Sequence, residues 1–438
     1  MCKIKKYIIF LVIVLCLSGC QNIAEDEIDV ETEQTIDVET EQTTSMEQEK
    51  IIEDIQVIKQ TISSSPCSKN YHQDDFELLI DEIKTGKIDR EVCYQRLREI
   101  ISSYHCAHLS IWTKPNDPIY TNRLPILLTW FGEELRVTAC SEEYIGYMGM
   151  KVLSISDYSI NDVLEKYGSI NSYETQRGRM TFLEQPMWEC DLVYLDLLDS
   201  NQHGVEFEVE NEQGNIENFD VELVSWDECN LIYLEDVYCE QEEMSISYRN
   251  KSNGLNYCFE ADSEHDIMYF LYTQCAEMED YSLEQCFEDM MDELNANPSY
   301  DEIVFDVRWN QGGNRFIMLP LLERYKDELA QKKISIIVGK STYSAAFQFV
   351  EDCLQLFDEV FIYGEETGQA INNYTEVNMI DLPALNCGMS VPTVKDYLPE
   401  LEKRYEDLER GIIPDEEIYQ TYEDYLKGVD TIYEFIKK

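Results

Sequence analysis

Positive charge is scarce in this chain. Lys and Arg together number 34 against 88 Asp and Glu, for a formal net charge of -54 with the five histidines neutral. Nucleic-acid recognition needs basic patches to meet phosphates, so no nucleic-acid partner is expected. The same imbalance argues against holding an anionic membrane surface by charge. Metal-binding patterns are also missing. There is no Cys-x-x-Cys pair and no zinc-protease motif, and His105-Cys106-Ala107-His108 is too sparse for a metal site. No metal and no cofactor is expected. The apolar run Tyr7 to Leu17 is too short to read as a membrane span.

What is present is enough apolar residue, 44% of the chain, for a real core and two or three domains. Twelve cysteines follow Cys20, scattered along the chain. Outside a cell an even number suggests disulfides. Cys286 and Cys353, however, fall on apolar helix faces, where free cysteine is commonly buried, so mostly reduced core thiols are expected.

Residues 1–19 read as a targeting segment, with Lys3, Lys5 and Lys6 ahead of the apolar run. Leu17-Ser18-Gly19-Cys20 resembles the lipobox of bacterial lipoproteins. The resemblance implies cleavage before Cys20, lipid on its sulfur and a place on the extracellular face of the cell membrane. Residues 20–50 are acidic and polar and contain a tandem octapeptide, Ile28 to Thr35 and Ile36 to Thr43. Two copies make no solenoid, and like charges with few large apolar residues favour an extended tether. A binding tail for a basic partner is the rival reading.

Residues 51–123 read as a helical region: Ile51 to Ile62, Phe76 to Ile83 and Val92 to Ile101 are apolar at helical spacing. Residues 124–228 are β-rich, with strand-like runs at Leu124 to Trp130, Leu135 to Ala139, Val205 to Val209 and Phe219 to Leu223. Between them, Met150 to Ile155 and then Ile160 to Leu164 give strand, turn, helix, which resembles the peptide-binding PDZ module. Residues 229–438 alternate strand and helix, an α/β core on a mostly parallel sheet within an α+β whole. Its strands are Ile267 to Tyr272, Ile303 to Val307, Ile334 to Val338 and Glu359 to Tyr363; a capping box at Ser282 opens one helix, and another runs from Phe316 to Leu329 with a break near Pro320.

Ser344 lies where the strand Ile334 to Val338 hands over to a helix carrying Ala346, Phe349, Val350, Cys353, Leu354 and Phe357 at helical spacing. Unpaired backbone N–H groups and the helix dipole favour negative charge there, which suits a serine nucleophile and its oxyanion. The plainer reading is a helix cap, because serine is a preferred cap residue. Upstream, Asp306-Val307-Arg308-Trp309-Asn310-Gln311-Gly312-Gly313 leaves the preceding strand, and paired glycines let a backbone turn tightly and approach a ligand closely.

Taken together, that loop, Thr342-Tyr343-Ser344-Ala345-Ala346, Gly364-Glu365-Glu366-Thr367-Gly368, Gly411-Ile412-Ile413-Pro414-Asp415 and Gly428-Val429-Asp430 resemble the C-terminal-processing (tail-specific) serine peptidases and their relatives in the tricorn protease core. The resemblance implies Ser344 as nucleophile, with the N–H groups of Ala345 and of Gly312-Gly313 as the oxyanion hole. The tail-specific branch carries a lysine just after the Thr-(x)-Gly motif, and Gln369, which cannot take up a proton, stands here. The lysine-free branch points instead to His108 as general base, with His105 as runner-up and Glu409 as the acid that orients the imidazole. Phe347 stands where the family often has glutamate, and Cys106-Ala107 where it has Asp-Gly.

Three functional readings follow. The first is a lipid-anchored extracellular serine peptidase that forms an acyl-enzyme on Ser344 and acts on polypeptides. The second is a catalytically impaired lipoprotein of the same fold that binds peptides or envelope proteins, which Phe347 and Gln369 motivate. The third is a hydrolase of non-peptide esters.

Overall fold

The computed structural model describes residues 36–438 except Tyr71, Asn116 and residues 239–243; of residues 36–45, Lys69, Asn70 and Ser252 it describes the backbone alone. The targeting segment, Cys20 and the first octapeptide copy lie outside the described residues. The chain divides into two units, Met1–Thr44 and Ser45–Lys438. In the first, the described residues are helical and begin the helix Ile36–Ser63. The second octapeptide copy is therefore not extended, contrary to the expectation for residues 20–50. The physical reason is cooperativity: Ile51, Ile55, Ile58 and Ile62 are buried at helical spacing, and once that helix is nucleated each preceding turn is added at little cost. No described helix is long and apolar enough to cross a membrane.

The described residues of the second unit form four sheets, one of them of only two strands, and four hydrophobic cores. The α/β sheet has six strands in the order Tyr257–Asp262, Ile267–Tyr272, Glu302–Asp306, Lys333–Val338, Val360–Gly364, Glu416–Glu417. Only the first pair is antiparallel. Strand side chains alternate between faces, so each strand serves two cores. Phe270, Ile303, Phe305, Ile336 and Val338 face one side, packed with Phe287 and Met290 of the helix Leu283–Ala296 and Phe349 and Val350 of the serine helix Ala345–Leu356. Tyr269, Leu271, Val304 and Ile337 face the other, covered by Ile432, Tyr433 and Ile436 of the last helix. Burial on both faces explains why these strands read as continuous apolar runs. The expected helix from Phe316 to Leu329 is broken into a 3-10 turn Arg315–Ile317 and two short helices, Leu319–Arg324 and Lys326–Leu329, with Pro320 at the start of the first helix, where no N–H partner is lost.

The β-rich domain forms an antiparallel sheet of seven strands between Ile126 and Tyr233, closed over by the helix Ile160–Ile170, whose N-cap Ser159 accepts from the Asp162 N–H. The N-terminal helices Gln73–Lys84 and Arg90–Ser102 pack on a third sheet. That sheet joins Ser110–Thr113 to the hairpin Tyr374–Leu382 and Cys387–Lys395. The hairpin thus belongs to the N-terminal core, although its sequence position lies inside 229–438. All eleven described cysteines are free thiols, most of them buried.

Candidate active site

Three loops leave the carboxyl ends of adjacent parallel strands, the edge where such sheets hold ligands. The first, after Glu302–Asp306, owes its shape to a buried ionic network. Arg308 reaches back to Asp306 at 2.6 Å and across to Asp430 at 2.7 Å, and Tyr269 donates to Asp306. Asp430 also accepts from Ser247 and caps the last helix through the N–H groups of Ile432 and Tyr433. Asn310, fully buried, donates to the Tyr272 carbonyl and accepts from the Gly312 N–H at 2.8 Å. The motif residues Asp306, Arg308, Asn310 and Asp430 are thus a scaffold for the diglycine turn.

That turn is pressed against the second loop. Gly312 has φ +103°, and a Cβ there would stand 2.6 Å from Ser344 Cβ and 2.9 Å from the Ala345 nitrogen. Gly313 has φ +131° and bridges Cys275 in parallel fashion, leaving its own N–H turned away from that partner. Thr342, fully buried, fixes the second loop by donating to the Val307 carbonyl and accepting from the Gly339 N–H.

Ser344 occupies the N-cap position of its helix but makes no side-chain cap bond, so the plain cap reading fails. Its φ of +52° is strained for a residue with a Cβ, at a cost of about 1–3 kcal/mol. That conformation points Oγ at His108, whose Nε2 lies 3.2 Å away. The Ser344 N–H donates to Oε1 of Gln369, which is fully buried on the third loop. Gln369, expected to be foreign to a proton-transfer role, instead holds the backbone of the serine.

His108 is held by the hairpin sheet: Ser390 Oγ donates to the His108 carbonyl at 2.9 Å, two residues before the strand Ser110–Thr113 begins. Its ring lies against Tyr343, with centroids 5.8 Å apart. The residue as a whole is half-buried, but the protein packed around its ring strips most of its hydration, and this burial pushes its pKa down to about 4. At neutral pH the imidazole is therefore uncharged and able to accept the serine proton. Acceptance at Nε2 puts the ring hydrogen on Nδ1, which is buried and unpartnered among the described residues.

Two expectations need correction. Glu409 does not orient His108: it is exposed and accepts from Asn372 Nδ2 at 2.6 Å. Gly312 does not offer its N–H to an oxyanion, because the Asn310 side chain has taken it. Gly313, exposed at the surface, and Ala345, the first residue of the serine helix, make no backbone N–H hydrogen bond among the described residues. These two donors flank Ser344, and the helix dipole adds to the second. His105, the alternative base, is exposed and stacks edge-on against Tyr173. Among the described residues no group of three or more His, Cys, Asp or Glu could hold a metal ion.

Sequence reasoning passed over Glu174. Its Oε1 accepts from the Ala107 N–H at 3.1 Å and its Oε2 from the Ala370 N–H at 3.0 Å. Burial raises its pKa to about 7, against the lowering pull of those two bonds. It lies in a connecting segment of the β-rich domain, with no local pattern to mark it.

No protein-family model and no curated protein matches the chain. Solved structures do. Mature CPAF complexed with lactacystin aligns at TM-score 0.61 and 11% identity, over 90% of this chain and 98% of that one. Mature CPAF alone aligns at TM-score 0.60 and 11% identity, over 90% and 97%. The photosystem II D1 C-terminal processing protease matches at TM-score 0.40 and 12% identity, over 85% and 93%. At 11% identity, the likeness to CPAF is one of fold.

Proposed function

We propose that the chain is a serine peptidase that cleaves polypeptides through an acyl-enzyme on Ser344. The observation that carries this reading is the 3.2 Å approach of His108 Nε2 to Ser344 Oγ across 236 residues of sequence, beside two unused backbone donors. As Oγ attacks a carbonyl carbon, its proton passes to His108 Nε2. The oxyanion is met by the N–H groups of Gly313 and Ala345. The imidazolium then returns its proton to the leaving amine, and water repeats the sequence to release the acyl group. The resemblance of the β-rich domain to a PDZ module makes it the candidate holder of the polypeptide.

The same reading places the protein on the outer face of a cell membrane, held by lipid on Cys20. The sequence Leu17-Ser18-Gly19-Cys20 supports this, and acyl chains acting together give stable anchoring. Labelled palmitate incorporated by the wild type and lost in Cys20→Ser tests it.

A second reading, a peptidase-fold protein that binds peptides without cleaving them, is favoured by His108 Nδ1, which has no partner among the described residues. The two separate when an unfolded polypeptide is incubated with the wild type and with Ser344→Ala. New peptide termini from the wild type alone support the peptidase. Equal binding by both, with no cleavage by either, supports the binder. Ester hydrolysis without peptide hydrolysis supports the third class.

A further inference from the structure

Glu174 has a place in the site that no motif gives it. It comes from neither of the elements that carry the reacting groups but from the segment Asn171–Thr175, which leaves the helix Ile160–Ile170 of the β-rich domain. The next residue, Thr175, donates through Oγ1 to the carbonyls of Thr367 at 3.0 Å and Gly368 at 3.1 Å, so this segment docks on the third loop of the site. Glu174 then spans the gap. One carboxylate oxygen takes the Ala107 N–H, one residue before His108; the other takes the Ala370 N–H, one residue after the glutamine that holds the Ser344 backbone.

We propose that Glu174 is a positioning residue for the reaction: its two oxygens tie the His108 loop to the Gln369 loop and so set the distance between base and nucleophile. This rests on the peptidase reading of Ser344 and His108.

The geometry asks for both oxygens to be acceptors, which only the ionised carboxylate supplies fully. A protonated acid or a glutamine has one good acceptor and must release one of the two loops. Burial makes ionisation costly, and the Glu409 carboxylate on the C-terminal segment adds to that cost, while the Ala370 and Ala107 N–H groups and the Tyr343 hydroxyl on the serine loop favour the ionised form. The Cys106 thiol on the histidine loop also faces the carboxylate. The carboxylate is kept where it is uncomfortable, which is characteristic of residues held for function rather than stability.

The sign of the linkage separates this role from a merely structural one. The folded pKa of Glu174 is raised to about 7 from the ordinary 4.5, so its contribution favours the fold at low pH and is lost as pH rises through 7. Glu174→Gln is therefore expected to melt at a higher temperature than the wild type at pH 8, while reacting more slowly. A structural brace would lose both stability and activity.

The test is the rate of labelling by a fluorophosphonate between pH 4 and 9, for the wild type, Glu174→Gln and Glu174→Ala, with thermal melts at pH 8. The wild type should show an acidic limb near pH 7. In Glu174→Gln the plateau should fall at least tenfold and the limb should move down towards the value of about 4 set by His108. Hydrogen exchange at the Ala107 and Ala370 amides should be slow in the wild type and faster in Glu174→Ala. Wild-type labelling with unchanged rates and pH profile in both variants overturns the positioning role and leaves the peptidase reading standing. A wild type that never labels overturns both.

Discussion

At the scale of single residues, the tightest demand falls on Gly312. A Cβ at that position would overlap Ser344 Cβ, at a φ that only glycine adopts readily. Gly312→Ala is expected to lose about 1–3 kcal/mol of stability and all fluorophosphonate labelling. Denaturant unfolding and labelling together check this; unchanged values would mean the turn is free to move away from the serine. Asn310 is a quieter case. Asn310→Ala strands the Gly312 N–H and the Tyr272 carbonyl and should cost about 1–3 kcal/mol in the same unfolding assay. The pairing of Ser344 with His108 was expected from a resemblance in motifs, and the two side chains do meet, at 3.2 Å. Glu174 was not expected, because a carboxylate that bridges two distant loops leaves no periodic or local trace. Glu409 was misread for the matching reason: proximity to a motif says nothing about where a side chain points.

At the scale of elements, strands buried on both faces could be read directly, and Ile267 to Tyr272 runs between the residues expected. The hairpin Tyr374–Lys395 was missed. Its first strand, Tyr374–Leu382, is mostly half-buried or exposed and carries Thr375, Glu376, Asn378 and Asp381, so it shows neither an apolar run nor clean alternation. Yet this hairpin holds the histidine loop, through Ser390. The loop–helix junction at Asp430 is the other element that long-range contacts define. Asp430 is fully buried against Arg308, and removing one partner of a buried pair costs about 3–5 kcal/mol. Asp430→Asn is expected to unfold at correspondingly lower denaturant. The Arg308 guanidinium, opposing the cost of burial, holds the Asp430 pKa below 3.8. Its stabilisation is therefore present above pH 3.8 and lost as pH falls further. An acid-unfolding curve that Asp430→Asn leaves unchanged below pH 4 would contradict the assignment.

At the scale of the whole molecule, the formal charge of -54 sets the chain against itself. Net charge of one sign weakens a compact state by self-repulsion, and salt screens it over about 8–10 Å near 0.15 M. Melting temperature is expected to rise between 10 mM and 150 mM sodium chloride; a fall would mean that local ion pairs outweigh the global term. The succession of helices, then antiparallel strands, then alternating strand and helix was legible from the change in periodicity. How they share the site was not. His108 stands on a loop held by the N-terminal core, Ser344 on the α/β core, and Glu174, whose carboxylate bridges the His108 loop and the Gln369 loop, comes from the β-rich domain.

The central claim is that Ser344 and His108 act as one catalytic unit. It is tested most directly by treating the intact protein with a fluorophosphonate and locating the adduct by mass spectrometry. The account predicts one adduct, on Ser344, absent in Ser344→Ala and formed about 10²–10⁴ times more slowly in His108→Ala. An adduct elsewhere, or one on Ser344 whose rate is indifferent to His108, would contradict it.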